Sequence, residues 1–381
     1  MPVPSRHSPL RHWLRLALLL APAACAPQAP PAYTGLPYQV PSYQAPLPEV
    51  PRTRVGLLLP LSGTNRPLGQ AMLNAAQLAL FDQADPAIEF VPRDTGSTPG
   101  GAAQAAQSAL GEGARALAGP LTLTETAAAA GPARAARAPM MAFTTDAAQA
   151  GGGVWVIGST PGEQAERVVT AAANAGARRI GLLATDDEFG RRLAAALRGR
   201  VSALGLPAPI IQLQPRLGDS GAAANALAAQ AGPEGLDAVL LGLGGDRARL
   251  AANALATALP SKPRLLGTTL WANDPAVATE PALAGAWFPG PDPATRAGFD
   301  QRYQAAFGDR PPRLAGVAYD AAALASRAAR SGMAPVGEAM LGADGPIRLA
   351  PEGLAQHGLA LFALDGSGEP RLVEPAPVPG S

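Results

Sequence analysis

At 381 residues and 48% hydrophobic content, the chain is long enough for two domains or two lobes around a sizeable core. A formal net charge of +1, with 15% charged residues and Lys262 as the only lysine, leaves no basic field for nucleic acid. One cysteine, Cys25, excludes an intrachain disulfide framework or a cysteine-rich metal site; three histidines, His7, His12 and His357, leave a zinc enzyme nearly without ligands, and no cofactor is expected.

In chain order, Arg6, Arg11 and Arg15 precede an apolar core over 16–24, which reads as a signal peptide over 1–24. That core is too short to span a bilayer as a permanent helix. The segment LAPAAC ending at Cys25 resembles a bacterial lipoprotein cleavage box, which implies lipid on the cysteine sulfur and a membrane anchor. Pro22 stands where such boxes carry Leu three before the cysteine, and the alternative is an ordinary signal peptide cut after Ala21-Pro-Ala23. Ala26 in place of an aspartate implies, by the same resemblance, the outer membrane. The proline-rich stretch over 25–52, with Tyr33, Tyr38 and Tyr43 among its prolines, reads as an extended tether.

The globular chain opens at 54–63, RVGLLLPLSG, a short apolar run stopped by Pro60 and followed by a polar turn. That pattern suits a strand buried on both faces, and the next segment carries Met72, Ala75, Ala76, Ala79 and Leu80 at helical spacing. Strand and helix then alternate, with strands over 88–95, 114–120 and 138–145 and a helix over 121–136 opened by Thr122, Thr124 and Glu125. This predicts an α/β fold with doubly wound, mainly parallel sheets. The first lobe is expected over 53–153, up to the Gly151-Gly152-Gly153 break, and a second over 154–288. Two consecutive helices over 293–307 and 313–330 predict a return to lobe 1 over 289–335. Residues 336–369 read as a terminal hairpin of lobe 2, and the proline-rich tail over 370–381 is expected to fray.

Catalytic constellations are scarce. A penicillin-interactive enzyme needs Ser-x-x-Lys, but Leu259 stands three before Lys262. The glycines of 242–247 lack the last one of a dinucleotide fingerprint and read as a helix-opening turn. A Ser-His-acid triad would depend on His357, read as a surface-loop residue, and Asp186-Asp187-Glu188 reads as acids at a helix start. No catalytic or metal residue is assigned.

The segments VGLLLPLSG, AGPLTLTETAAAA, GVWVIGSTPGEQAERVV, IGLLATDDEFGRR, AYDAAALA and GADGPIRLAPEG together resemble the two-lobed type I periplasmic binding-protein fold. GVWVIGSTPGEQAERVV is most similar to the penicillin-binding protein activator lipoproteins. That resemblance implies a non-catalytic envelope lipoprotein that stimulates a peptidoglycan synthase by contact. The fold also implies a second reading, the receptor of an ABC importer for an amino acid or other small polar ligand. On either reading the resemblance places Ser62, Gly63, Thr122, Thr124, Thr144, Thr145, Phe189 and Trp271 around an interlobe cleft, though no ammonium partner is legible among them. Activators of this kind can carry a helical-repeat domain ahead of the binding-protein-like domain; here the tether runs into the first strand.

Overall fold

β1 (Thr53–Leu59) is the founding strand: Val55, Leu57 and Leu59 enter one apolar cluster while Leu58 enters another on the opposite face. Alternation with both faces apolar is what a central parallel strand requires. A computed structural model describes residues 52–380, which belong to one compact unit. The signal peptide, Cys25 and the tether up to residue 51 lie outside the described residues.

After β1 come α1 (Arg66–Gln83), β2 (Ile88–Asp94), α2 (Pro99–Gly111), β3 (Ala114–Ala118), α3 (Leu123–Ala135), β4 (Met140–Ala142) and β5 (Val154–Val156). They build a five-stranded parallel sheet in the order β2-β1-β3-β4-β5. The second lobe begins with α4 (Pro161–Asn174), β6 (Ile180–Thr185), α5 (Glu188–Ala203), β7 (Ile210–Gln214) and α6 (Ser220–Ala231). It continues through β8 (Ala238–Gly242), α7 (Gly245–Ala258), β9 (Arg264–Leu266), α8 (Pro275–Ala278) and β10 (Trp287–Gly290). Then α9 (Pro293–Phe307) and α10 (Ala315–Ser331) cross back to pack on α1, α10 also covering β3. Ala318, Ala321, Ala322, Ala325 and Ala329 are buried along α10, and such small side chains let it settle between α1 and the sheet.

The last strands are β11 (Ala339–Leu341), β12 (Pro346–Leu349), β13 (Ala355–His357), β14 (Ala360–Ala363) and β15 (Arg371–Glu374). Three sequence expectations change here. β5 pairs with β4, so the passage between lobes falls after β5 and not at the glycine run; Gly151 and Val154 bridge across a tight turn. The β12–β13 hairpin joins lobe 1, because Ile347, Leu349 and Ala355 are buried in the cluster shared with α1 and α10. Within 336–369 β14 alone joins the lobe 2 sheet, whose order is β15-β14-β10-β9-β8-β6-β7, with β14 antiparallel to β10. The tail does not simply fray: β15 pairs with β14 as an edge strand, where flanking prolines are tolerated, and Glu374 pairs with Arg167 at 2.8 Å.

Three connections therefore join the lobes, after β5, after β10 and between β13 and β14. Strand-to-helix turns are held tight by glycine in both lobes. A Cβ on Gly69 in α1 would sit 2.1 Å from the Pro60 carbonyl oxygen, and one on Gly190 in α5 would sit 1.9 Å from that of Thr185. These helices start hard against the strand ends, which pushes the intervening turns out toward the cleft.

Candidate functional site

The turns at the strand tips build the cleft between the lobes. After β1, Asp94 accepts the amides of Leu61, Ser62 and Gly96 at 2.9, 3.1 and 2.8 Å. Burial works against its charge, but hydrogen bonds from the Ser62 hydroxyl and these amides outweigh it and hold the carboxyl below its ordinary value. After β3, Thr122 caps α3 in a reciprocal arrangement with Glu125, which is 1% exposed and also accepts the Thr95 hydroxyl at 2.6 Å. After β4, the Thr144 hydroxyl accepts the Asp146 amide at 3.1 Å, and Asp146 accepts the Ala148 amide at 2.8 Å.

Two adjoining spaces lie in the cleft. The outer basin, about 420 Å³, runs from Leu121 and Thr122 past Thr144 and Thr145 to Phe189 and Arg192. Across it, Arg192 of α5 forms an ion pair with Asp146 of lobe 1, both side chains largely buried, while Arg192 also holds Glu188 at 2.7 Å. The groups that could take a zwitterion's carboxylate and ammonium thus neutralise each other.

The inner recess, about 390 Å³, lies beside all three connections and shares Phe143, Thr145, Pro161, Phe189 and Leu314 with the basin. Its charged groups are mostly paired. Arg296 holds Asp300 at 2.8 Å and Asp344 at 2.9 Å. Asp320, 4% exposed, accepts the Ala343 amide at 2.7 Å; burial, with Asp344 adding to it, pushes its carboxyl up to about 7. Burial disfavours the charged form of His357, yet the Glu163 carboxylate at 3.2 Å overrides this and lifts the ring to about 9, so it is protonated at neutral pH. Glu163 also accepts the His357 amide at 2.8 Å while its other oxygen accepts the Thr160 amide at 2.9 Å, tying two of the lobe connections together.

The predicted residues divide by position. Thr122, Thr144, Thr145 and Phe189 line the basin. Thr124 stands beside it, its hydroxyl 3.4 Å from that of Thr122. Ser62 and Gly63 are exposed, lining neither space, and their turn is engaged by Asp94. Trp271 is 1% exposed in the lobe 2 core, its Nε1 donating to the Leu243 carbonyl at 2.7 Å. Gly267 leaves room for its ring, since a Cβ there would approach it to 2.3 Å, and Thr269 and Leu270 face the recess instead. His357 belongs to β13 and pairs with Glu163, not to a surface loop. Asp187 caps α5 through the Gly190 amide at 2.9 Å, and Gly245 at the opening of α7 has φ +55° with its amide bonded to Asp274, so both motifs are helix starts. Among the described residues no cluster of His, Cys, Asp or Glu could hold a metal ion. No described helix is long and apolar enough to cross a membrane. Sequence reasoning missed Ser159, Arg192, Arg296 and Arg313 as cleft residues.

A family model described as periplasmic binding protein matches residues 52–343. The comparison with curated proteins finds no match. Among solved structures, a protein from Rhodospirillum rubrum assigned to a branched-chain amino acid ABC transporter is similar at 18% identity and a TM-score of 0.74, over 84% of this chain and 100% of that one. The leucine-binding protein LivK of Thermotoga maritima is similar at 20% identity and TM-score 0.58, over 86% and 99% of the two chains. The C-domain of LpoA from Haemophilus influenzae, described as a regulator of PBP1A, reaches 18% identity and TM-score 0.68, over 84% and 99%. The match to full-length LpoA spans 59% of that chain. These likenesses show a shared fold. With that match over most of its length, and with two lobes of mostly parallel sheet around a cleft, the chain belongs to the periplasmic binding protein family, whose place is the periplasm.

Proposed function

We propose that the protein is a non-catalytic envelope lipoprotein, anchored through lipid on Cys25 at the outer membrane, that activates a peptidoglycan synthase of the penicillin-binding class by contact. The observation that carries this reading is the Asp146–Arg192 pair across the basin. A receptor for amino acids offers opposite charges to its ligand; here Asp146 and Arg192 pair with each other across the basin. The likeness to the LpoA C-domain and the cysteine placed after a signal-like segment support the same reading. Mechanistically, docking favours the synthase conformation with higher transpeptidase activity, by no more than the difference in affinity for its two states. The test is capture of the lipidated protein from envelope extract, followed by assay of purified synthase with and without it. An enriched synthase whose crosslinking rises on addition supports the reading, whereas no enriched synthase and unchanged activity exclude it.

The recess favours a second reading, an importer receptor closing on a small ligand, because a cavity of about 390 Å³ lies in the usual size range of ligand pockets. Importer reconstitution with labelled candidate ligands tests it: uptake that requires this protein supports it, and uptake indifferent to it does not.

A further inference from the structure

The segment that follows β14 begins in lobe 2 and comes to lie on lobe 1. β15 pairs with β14 at the edge of the lobe 2 sheet, with Leu361 opposite Glu374. Arg167 of α4 pairs with Glu374 at 2.8 Å and donates to the Leu359 carbonyl at 2.7 Å, so it clamps β15 to the connection between β13 and β14. Beyond Glu374 the chain leaves the sheet.

It lands at Gly345, in the turn between β11 and β12 of lobe 1. A Cβ on Gly345 would stand 3.8 Å from the Ala376 Cβ, 3.1 Å from the Gly358 carbonyl oxygen and 3.3 Å from the Asp292 Cβ. Asp292 and Gly358 belong to two of the three connections, so Ala376 lies where these run side by side. The Pro377 carbonyl sits closer still, since a Cβ on Gly358 would meet its oxygen at 2.1 Å. Gly380 lies against the guanidinium of Arg348 on β12, with no room for a Cβ, and Arg348 donates to Gln356 of β13 at 3.1 Å. Residues 376–380 thus rest on the outer face of the β12–β13 hairpin, whose inner face buries Ile347 and Leu349 in lobe 1. Pro375, Pro377 and Pro379 alternate along the segment, each fixing its φ and reducing the entropy lost on seating. Pro375, Pro377, Val378 and Gly380 stay exposed and Ala376 and Pro379 are half-buried, so little apolar area holds the segment down and the contact can open.

We propose that residues 375–380 are a releasable strap, anchored in lobe 2 through β15 and seated on the lobe 1 hairpin, that restrains rotation of the lobes about their three connections. Chain crossings alone let two lobes turn as on a hinge, whereas a further contact beside them resists the turn. This inference rests on neither functional reading, since an activator and a receptor would both sample a wider range of lobe angles with the strap released.

The test is double electron–electron resonance between nitroxides at Gln104→Cys on α2 of lobe 1 and Asn225→Cys on α6 of lobe 2, both exposed positions, in the full chain carrying Cys25→Ser. The same chain stopped after Glu374 keeps β15 and the Arg167–Glu374 pair but lacks the crossing residues. Its distance distribution should broaden, the population outside the main peak of the intact chain rising by about fivefold or more. Gly358→Ala, whose Cβ meets Pro377, should broaden the intact chain in the same way and change nothing further in the stopped chain. Identical distributions with and without 375–381, or an equal effect of Gly358→Ala in the stopped chain, overturn the proposal. Should the stopped chain fail to fold, an unbroadened distribution in the intact Gly358→Ala chain overturns it instead.

Discussion

Asp320 offers the sharpest energetic test of the recess. Its carboxyl is 4% exposed, has one strong donor in the Ala343 amide at 2.7 Å, and is pushed up to about 7 from an ordinary 3.8. A raised carboxyl favours the protonated folded state, so its contribution to stability is fully present below about pH 4 and is lost as pH rises through 7. With about 1.4 kcal/mol per pKa unit, the loss between pH 5 and pH 8 comes to about 2–3 kcal/mol. Asp320→Asn keeps an acceptor for the Ala343 amide and cannot ionise. Denaturant unfolding of both proteins at pH 5 and pH 8, compared at each pH, cancels the groups they share. The variant should gain on the wild type by about 2–3 kcal/mol from pH 5 to pH 8. A difference independent of pH, or one that favours the wild type as pH rises, would refute the reasoning.

The His357–Glu163 pair should show coupling of about 1–3 kcal/mol in a double-mutant cycle at pH 6, fading by pH 10, because a histidine raised to about 9 loses its stabilising charge as pH passes that value. A coupling unchanged at pH 10 would mean the imidazolium is not its source. Gly190→Ala forces a Cβ against the Thr185 carbonyl and should cost about 2 kcal/mol or more, while Gly199→Ala in the same helix meets open space and should stabilise by about 0.5–1 kcal/mol; urea midpoints read both. The Asp146–Arg192 pair should couple by about 1 kcal/mol, and Arg192→Ala should widen the cleft, seen as a larger radius of gyration in solution scattering. An unchanged radius would show that other contacts hold the lobes.

The strands and helix starts were legible because their causes are local. The apolar run of β1 and the Thr-x-x-Glu caps at Thr122 and Thr160 are each written within a few residues. The interlobe cleft was less so. Arg192 sits one turn after Glu188 and reads as an ordinary helical pair, yet Asp146, its partner across the cleft, lies far back in the chain. Arg313 and Ser159 line one recess only because α10 returns to lobe 1 and the connection after β5 borders the same space, and neither carries a local signal for the cleft. Trp271 shows the converse: the family resemblance places it at the cleft, but Gly267 opens a core site large enough for the indole. The lobe of β5 is not legible in the sequence, because a glycine run marks a turn without saying which sheet the next strand joins.

The most direct measurement is the transpeptidation rate of a purified peptidoglycan synthase, captured with this protein, in the presence and absence of its globular chain at saturating concentration. The account predicts a rate severalfold higher with the chain present. A rate identical with and without it, at concentrations where the two bind, would contradict the account.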